Sequence, residues 1–153
     1  VDSLSITRNI FMGRERCSGG GFLKLAEMRE IAMEVLQSAV HISGIDSPDM
    51  LVGELSGGQK QAVAIARAVF FKRRILMLDE PTSALSVRET EALLNQVLKL
   101  KAEDVSSVFV THNLYHAYQV CDRFVIMSHG TKVFDVAKAD TTIGQLTEYV
   151  VLT

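Results

Sequence analysis

Leu55-Ser56-Gly57-Gly58-Gln59, followed sixteen residues later by the apolar run Ile75-Leu76-Met77-Leu78 that ends in Asp79-Glu80-Pro81, governs the reading of this chain. Ser56 stands where a helix N-cap belongs, and Gln59, three residues on, has the capping-box spacing. As a cap alone the pair contributes about 1 kcal/mol. The same geometry has a second use, because glycines without side chains expose backbone N–H groups at the positive end of a helix, where anions bind. The apolar run predicts a buried strand over 75–79, which puts Asp79 and Glu80 at the carboxyl end of a parallel strand, where ligands sit in open α/β sheets. Taken singly, the second signal is an acidic strand end that caps the next loop. Together, in this order and spacing, the two favour nucleotide handling.

Working outward, Ile6, Ile10, Phe11 and Met12 are spaced like a short helix that precedes the break at Gly19-Gly20-Gly21. Apolar residues then recur at threes and fours from Leu25 through Val40, predicting an amphipathic helix over 23–42 that stops at Ser43-Gly44. After the glycines, Ala62, Val63, Ile65, Ala66 and Val69 continue a largely buried helix to about Phe71. The basic trio Lys72-Arg73-Arg74 suits its C-terminus, as a solvated cluster facing the helix dipole. The second half alternates: strand 75–79, helix 87–101, strand 107–111, helix 114–121, strand 124–128. That βαβαβ order predicts a parallel sheet with helices packed on it. His129-Gly130 reads as a turn into a strand over 132–136, a last helix covers 143–150, and His41 reads as a helix-end residue.

With 153 residues, about half of them apolar, the chain can bury one ordinary core. A net charge of −2 gives no basic field of the kind that nucleic acid selects, which argues against a nucleic-acid partner. Cys17 and Cys121 have neither zinc spacing nor the density of a disulfide framework, so a reducing cytoplasm is the expected compartment. No apolar run reaches the roughly 18–20 residues of a membrane span. Any membrane role is therefore expected to come through a partner.

The Ser56-to-Gln59 stretch and the Asp79-Glu80 strand end together resemble the signature and Walker B motifs of the ATP-binding cassette (ABC) family, the ATPase subunits that power membrane transporters. The resemblance implies an α/β P-loop NTPase fragment, with a partial parallel sheet flanked by helices plus a helical subdomain. Residues 1–60 correspond to the helical signature subdomain and 61–153 to the C-terminal part of the RecA-like core. It implies ATP and Mg²⁺ as ligands. Ser56 and the Gly57 and Gly58 amides would hold the γ-phosphate of ATP bound to the opposite subunit, with Gln59 counted among the same ATP-binding residues, Asp79 would hold the metal, and Glu80 would polarise the attacking water. His112, in Val110-Thr111-His112-Asn113, resembles the switch histidine that senses the γ-phosphate. His116 adds an H-x₃-H spacing, but no Cys or carboxylate stands nearby in sequence to complete a zinc site. Pro81-Thr82-Ser83-Ala84-Leu85-Ser86 resembles the loop that links the two sites across the dimer. Ser86 replaces its usual Asp and forms a second capping-box spacing with Glu89.

Softer signs point to the ATPases of bacterial simple-sugar importers of the ribose, xylose and fructose type: Thr111-His112-Asn113, Asn9-Ile10-Phe11-Met12-Gly13 and Ser86-Val87-Arg88-Glu89. The partners implied are a second ATPase subunit in a head-to-tail homodimer, membrane permease subunits and, indirectly, a periplasmic sugar-binding protein. The expected location is peripheral, on the cytoplasmic face of the bacterial inner membrane. No G-x-x-x-x-G-K-[ST] loop occurs in the 153 residues, so the expectation is a C-terminal fragment that is inactive alone. Two alternatives stand beside this reading: a soluble ABC ATPase of translation or DNA repair, and a non-enzymatic dimerisation module.

Overall fold

Helix α3, Gly57–Phe70, organises the molecule because its two sides serve two cores. The computed structural model describes residues 1–40, 44–71, 73–83 and 85–152. The readings that fall on His41, on the helix end at 41–43, on Lys72 and on Ala84 lie outside the described residues. Val63 and Ala66 of α3 join Ile6, Ile10 and Phe11 of α1 (Ile6–Phe11) and Met28, Ala32 and Leu36 of α2 (Leu25–Val40) in one buried cluster. Ile65, on the other side of α3, joins a second cluster with Leu76 and Leu78 of β1 (Ile75–Asp79) and Leu93, Leu94, Val97 and Leu100 of α4 (Val87–Ala102). Spacings of three and four residues along α2 and α4 put these side chains on one stripe each, as the sequence periodicity requires. Helix α2 starts at Leu25 rather than residue 23, because Leu23 is drawn into an isolated antiparallel bridge with Cys17.

Strand β1 pairs in parallel with β2 (Ser106–Val110), Ile75 lying opposite Ser106 and Asp79 opposite Val110. Helix α4 forms the crossover between them. The expectation of a strand buried along its whole length is corrected here. Leu76 and Leu78 face α3 and α4, whereas Ile75 and Met77 stay 64% and 76% exposed, and Val108 and Val110 beside them 48% and 50%. Among the described residues helices cover only one face of this pair, and strand side chains alternate between faces.

The βαβαβ expectation also changes at its third strand. Strand β3 (Arg123–Ser128), which follows helix α5 (Leu114–Val120), pairs antiparallel with β4 (Thr131–Ala137) in a separate two-stranded sheet. His129 and Gly130, at φ 48° and 77°, form the two-residue turn between them, and two left-handed residues in succession match the twist of an antiparallel hairpin. A third cluster joins Ala117 of α5, Phe124 of β3 and Leu146 of helix α6 (Ile143–Val151).

The bare face of β1 and β2 is an apolar surface whose strand edges are open among the described residues. Such surfaces drive association between copies. Light scattering at micromolar concentration is expected to give a mass above that of the monomer, and Met77→Lys to return it towards the monomer. A strictly monomeric chain would overturn this expectation.

Candidate functional site

Leu55 is buried in the first cluster and fixes where the chain enters α3. Ser56 then takes the extended N-cap conformation, and both halves of its capping box close. Gln59 N–H donates to Ser56 Oγ at 3.3 Å, and Ser56 N–H donates to Gln59 Oε1 at 2.9 Å. Gln59 Nε2 donates in addition to the Gly44 carbonyl at 3.2 Å. The polar ends of Gln59 are thus engaged in shaping the turn. The box at the start of α4 closes in the same way, with Ser86 N–H donating to Glu89 Oε2 at 2.9 Å and Glu89 N–H to Ser86 Oγ at 3.3 Å.

Sequence spacing alone did not connect these two helix starts, yet they touch. Ser56 Oγ donates to Glu89 Oε1 at 3.0 Å, across 33 residues of sequence. A Cβ on Gly58 would stand 2.7 Å from the same carboxylate oxygen. Glycine at 58 is what allows the close approach.

The parallel register assembles the second half of the site. Asp79 and Val110 are partners at the carboxyl ends of β1 and β2, so the next residues, Glu80 on one side and Thr111-His112 on the other, come into contact. Glu80 N–H continues the ladder to the Val110 carbonyl at 2.9 Å. Its φ of 43° is left-handed, a conformation that costs a non-glycine residue energy and persists only where neighbours hold it. Ser83 supplies that hold, donating to the Glu80 carbonyl from its backbone N–H at 3.2 Å and from its hydroxyl at 3.0 Å.

The Glu80 carboxylate is gripped as firmly. Oε1 meets His112 N–H at 3.0 Å and His112 Nδ1 at 2.8 Å, and Oε2 accepts from Thr111 Oγ1 at 3.3 Å. The His112 ring first, and then its backbone N–H, hold the Glu80 carboxyl below its ordinary range against an opposing effect of desolvation. A depressed folded value means that the contact stabilises above the usual glutamate range and is lost as pH falls through the folded value. An NMR titration of the Glu80 side chain is expected to show a midpoint below the ordinary value of about 4.3, moving back up in His112→Ala. An unmoved midpoint would mean that the ring does not act on Glu80.

His116 does not join His112. Its Nδ1 lies 3.0 Å from the hydroxyl of buried Thr82, while His112 is committed to Glu80, so the H-x₃-H spacing serves two separate partners. No cluster of three or more His, Cys, Asp or Glu able to hold a metal occurs among the described residues. Asp79 is exposed and engages no side chain among the described residues. One free carboxylate at the mouth of the strands fits Mg²⁺, which takes one or two carboxylates and fills its remaining positions with phosphate oxygens and waters.

Residues 3–83 match the family model described as "ABC transporter". The chain is 38% identical over 149 residues to the xylose/arabinose import ATP-binding protein XylG of Sulfolobus acidocaldarius, covering 97% of this chain and 58% of that protein. It is 35% identical over 151 residues to the ribose import ATP-binding protein RbsA of Hahella chejuensis, covering 99% of this chain and 30% of that protein. The chain thus spans little more than half of the first relative and under a third of the second. Among solved structures, the dimeric bacterial ABC transporter cassette MJ0796 superposes with a TM-score of 0.71 at 27% identity, over 90% of this chain and 58% of the cassette. The post-hydrolysis state of MJ0796 bound to ADP and Pi gives 0.72 at the same identity and coverage. With the family model matched over residues 3–83 and this superposition in agreement, the chain belongs to the ABC transporter family and shares the P-loop NTPase fold of its cassettes.

Proposed function

We propose that this chain is part of the ATP-hydrolysing subunit of an importer for simple sugars, with a helical signature subdomain over 1–60 and the second part of the RecA-like core over 61–153. The observation that carries the reading is the convergence of Asp79, Glu80 and His112 at the carboxyl ends of two parallel strands. The names of XylG and RbsA support import of a pentose. In this reading Ser56 and the amides of Gly57 and Gly58 meet the γ-phosphate of ATP held by a partner subunit, with Gln59 shaping the turn. Asp79 would hold Mg²⁺, which supplies charge neutralisation on the phosphates when bound.

Glu80, its carboxylate held in place by His112 and Thr111, orients and polarises the attacking water. His112 and Thr111 fix the carboxylate, so a rearrangement of the His112 loop alters the direction in which the base points. Exposed His112 is well placed to report a phosphate arriving beside it. No helix among the described residues is long and apolar enough to cross a membrane. By its likeness to XylG and RbsA the subunit is proposed to sit peripherally on the cytoplasmic face, coupled to permease subunits and through them to a sugar-binding protein. The 153 residues contain no phosphate-cradling G-x-x-x-x-G-K-[ST] sequence, and alone they are proposed to be inactive.

The test uses the full-length subunit and Ser56→Asp, which keeps a good N-cap residue but sets a carboxylate against the phosphate. MgATP-driven pairing of subunits, read by light scattering, is expected to be lost in this variant. Retention of pairing at wild-type ATP concentrations would remove Ser56 from the nucleotide surface.

A further inference from the structure

Glu89 makes more contacts than a capping box requires. One oxygen, Oε2, accepts from Ser86 N–H at 2.9 Å and from Ser86 Oγ at 2.8 Å, which completes the start of α4. The other, Oε1, reaches out of the box to Ser56 Oγ at 3.0 Å and sits over the Cα of Gly58. A single carboxylate thus lies against the N-termini of two helices, α3 and α4, where positive partial charge favours an anion. Ser86, Glu89 and Ser56 are connected through it: the loop after the strand-end carboxylates is tied to the signature turn by one side chain.

On the reading above, the face of α3 that Glu89 covers is the one that meets the phosphate of a neighbouring subunit's nucleotide. Ser56 has one hydroxyl proton, and here it is given to Glu89. A phosphate oxygen and Glu89 Oε1 cannot both receive it, and two anions at one helix end repel.

We propose that Glu89 is a positioning residue for nucleotide engagement, an internal carboxylate that occupies the anion face of the signature turn and must swing away from Ser56 and Gly58 before phosphate binds there. The swing needs only side-chain rotation, because Oε2 can remain on Ser86 while Oε1 leaves Ser56. Pairing of ATP-loaded subunits is then set against this internal contact, and the linking loop that carries Ser86 feels when the signature turn is released. The inference rests on the proposed nucleotide role of Ser56.

Glu89→Gln isolates the charge. Glutamine closes the equivalent boxes at Ser56–Gln59 and Thr142–Gln145 in this same chain, so the start of α4 is preserved. In the full-length subunit carrying Glu80→Gln to slow turnover, the ATP concentration giving half-maximal pairing is measured by light scattering with and without Glu89→Gln. Removing a like charge from contact distance in partly screened surroundings is expected to lower that concentration about tenfold, with the thermal midpoint unmoved. A half-maximal concentration that is unchanged or raised, at an unmoved thermal midpoint, overturns the proposal. Ser56→Asp in the same background separates the two readings. If it abolishes pairing while Glu89→Gln has no effect, only the role of Glu89 falls. If it too leaves pairing intact, the nucleotide role of Ser56 falls and takes this inference with it.

Discussion

Glu80→Gln in the full-length subunit is expected to lower MgATP hydrolysis by about 10²–10⁴-fold, the contribution of a positioned general base, while nucleotide binding is retained. The substitution is nearly isosteric, and the surroundings of Glu80 show why it should leave the fold intact. The left-handed backbone at 80 is held by Val110 and Ser83 through main-chain atoms and the Ser83 hydroxyl, none of which touches the carboxylate. A glutamine carbonyl oxygen can still accept from His112 N–H, so the strand-end geometry persists. What is lost is the negative charge proposed to polarise the attacking water. Phosphate release in a single-turnover experiment reads the chemical step without interference from product release. Hydrolysis within tenfold of wild type would mean that another group acts as the base, and Glu80 would then be a strut that orders the His112 loop.

Much of this geometry was legible in the chain because it is local. The boxes at Ser56–Gln59 and Ser86–Glu89 are four-residue patterns, and both close as their spacing requires. The bounds of β1 follow from an apolar run between Arg74 and Asp79, and His129-Gly130 turns the chain because its backbone is left-handed at both residues. The contacts that were not legible are those that need a register or a packing angle. Glu80 meets His112 only because β1 and β2 pair with Asp79 opposite Val110. His116 meets Thr82 through the same juxtaposition. Glu89 reaches Ser56 only because α3 and α4 pack with their N-termini adjacent. A continuous apolar run reads as buried on both faces, and nothing within it says that Ile75 and Met77 face away from α3 and α4. Likewise, alternating strands and helices suggest a parallel sheet but cannot say that β3 will prefer the neighbour two residues away to the sheet behind it. Short connections decide that competition, since a two-residue turn brings β4 to β3 at little entropic cost.

Phe11→Ala is expected to cost about 3–5 kcal/mol of unfolding free energy, the range for removing a large aromatic side chain from a core. Phe11 is 1% exposed and lies edge-on to Phe70 and Phe71, with centroids 5.2 and 6.2 Å away, and those two rings meet each other at 4.9 Å. The three rings lock the C-terminal end of α3 to α1. Arg67 reinforces the joint by donating to the Met12 carbonyl at 2.9 Å, and the Arg14 guanidinium lies over Phe71 at 5.0 Å. Alanine at 11 would leave a void that the flanking backbone, committed to helical hydrogen bonds, can fill only in part. Urea unfolding measures the loss, and Phe22→Ala supplies the control: that ring is 80% exposed and its removal should stay within about 0.5 kcal/mol. The effect should also reach the signature turn. Helix α3 has 14 residues, so it carries Ser56 about 20 Å from the aromatic joint as a stiff rod. Loosening one end tilts the other, and the 3.0 Å contact between Ser56 and Glu89 is the first geometry that a tilt would break. A destabilisation below about 1 kcal/mol would place the anchor of α3 elsewhere, in the aliphatic contacts of Val63 and Ala66.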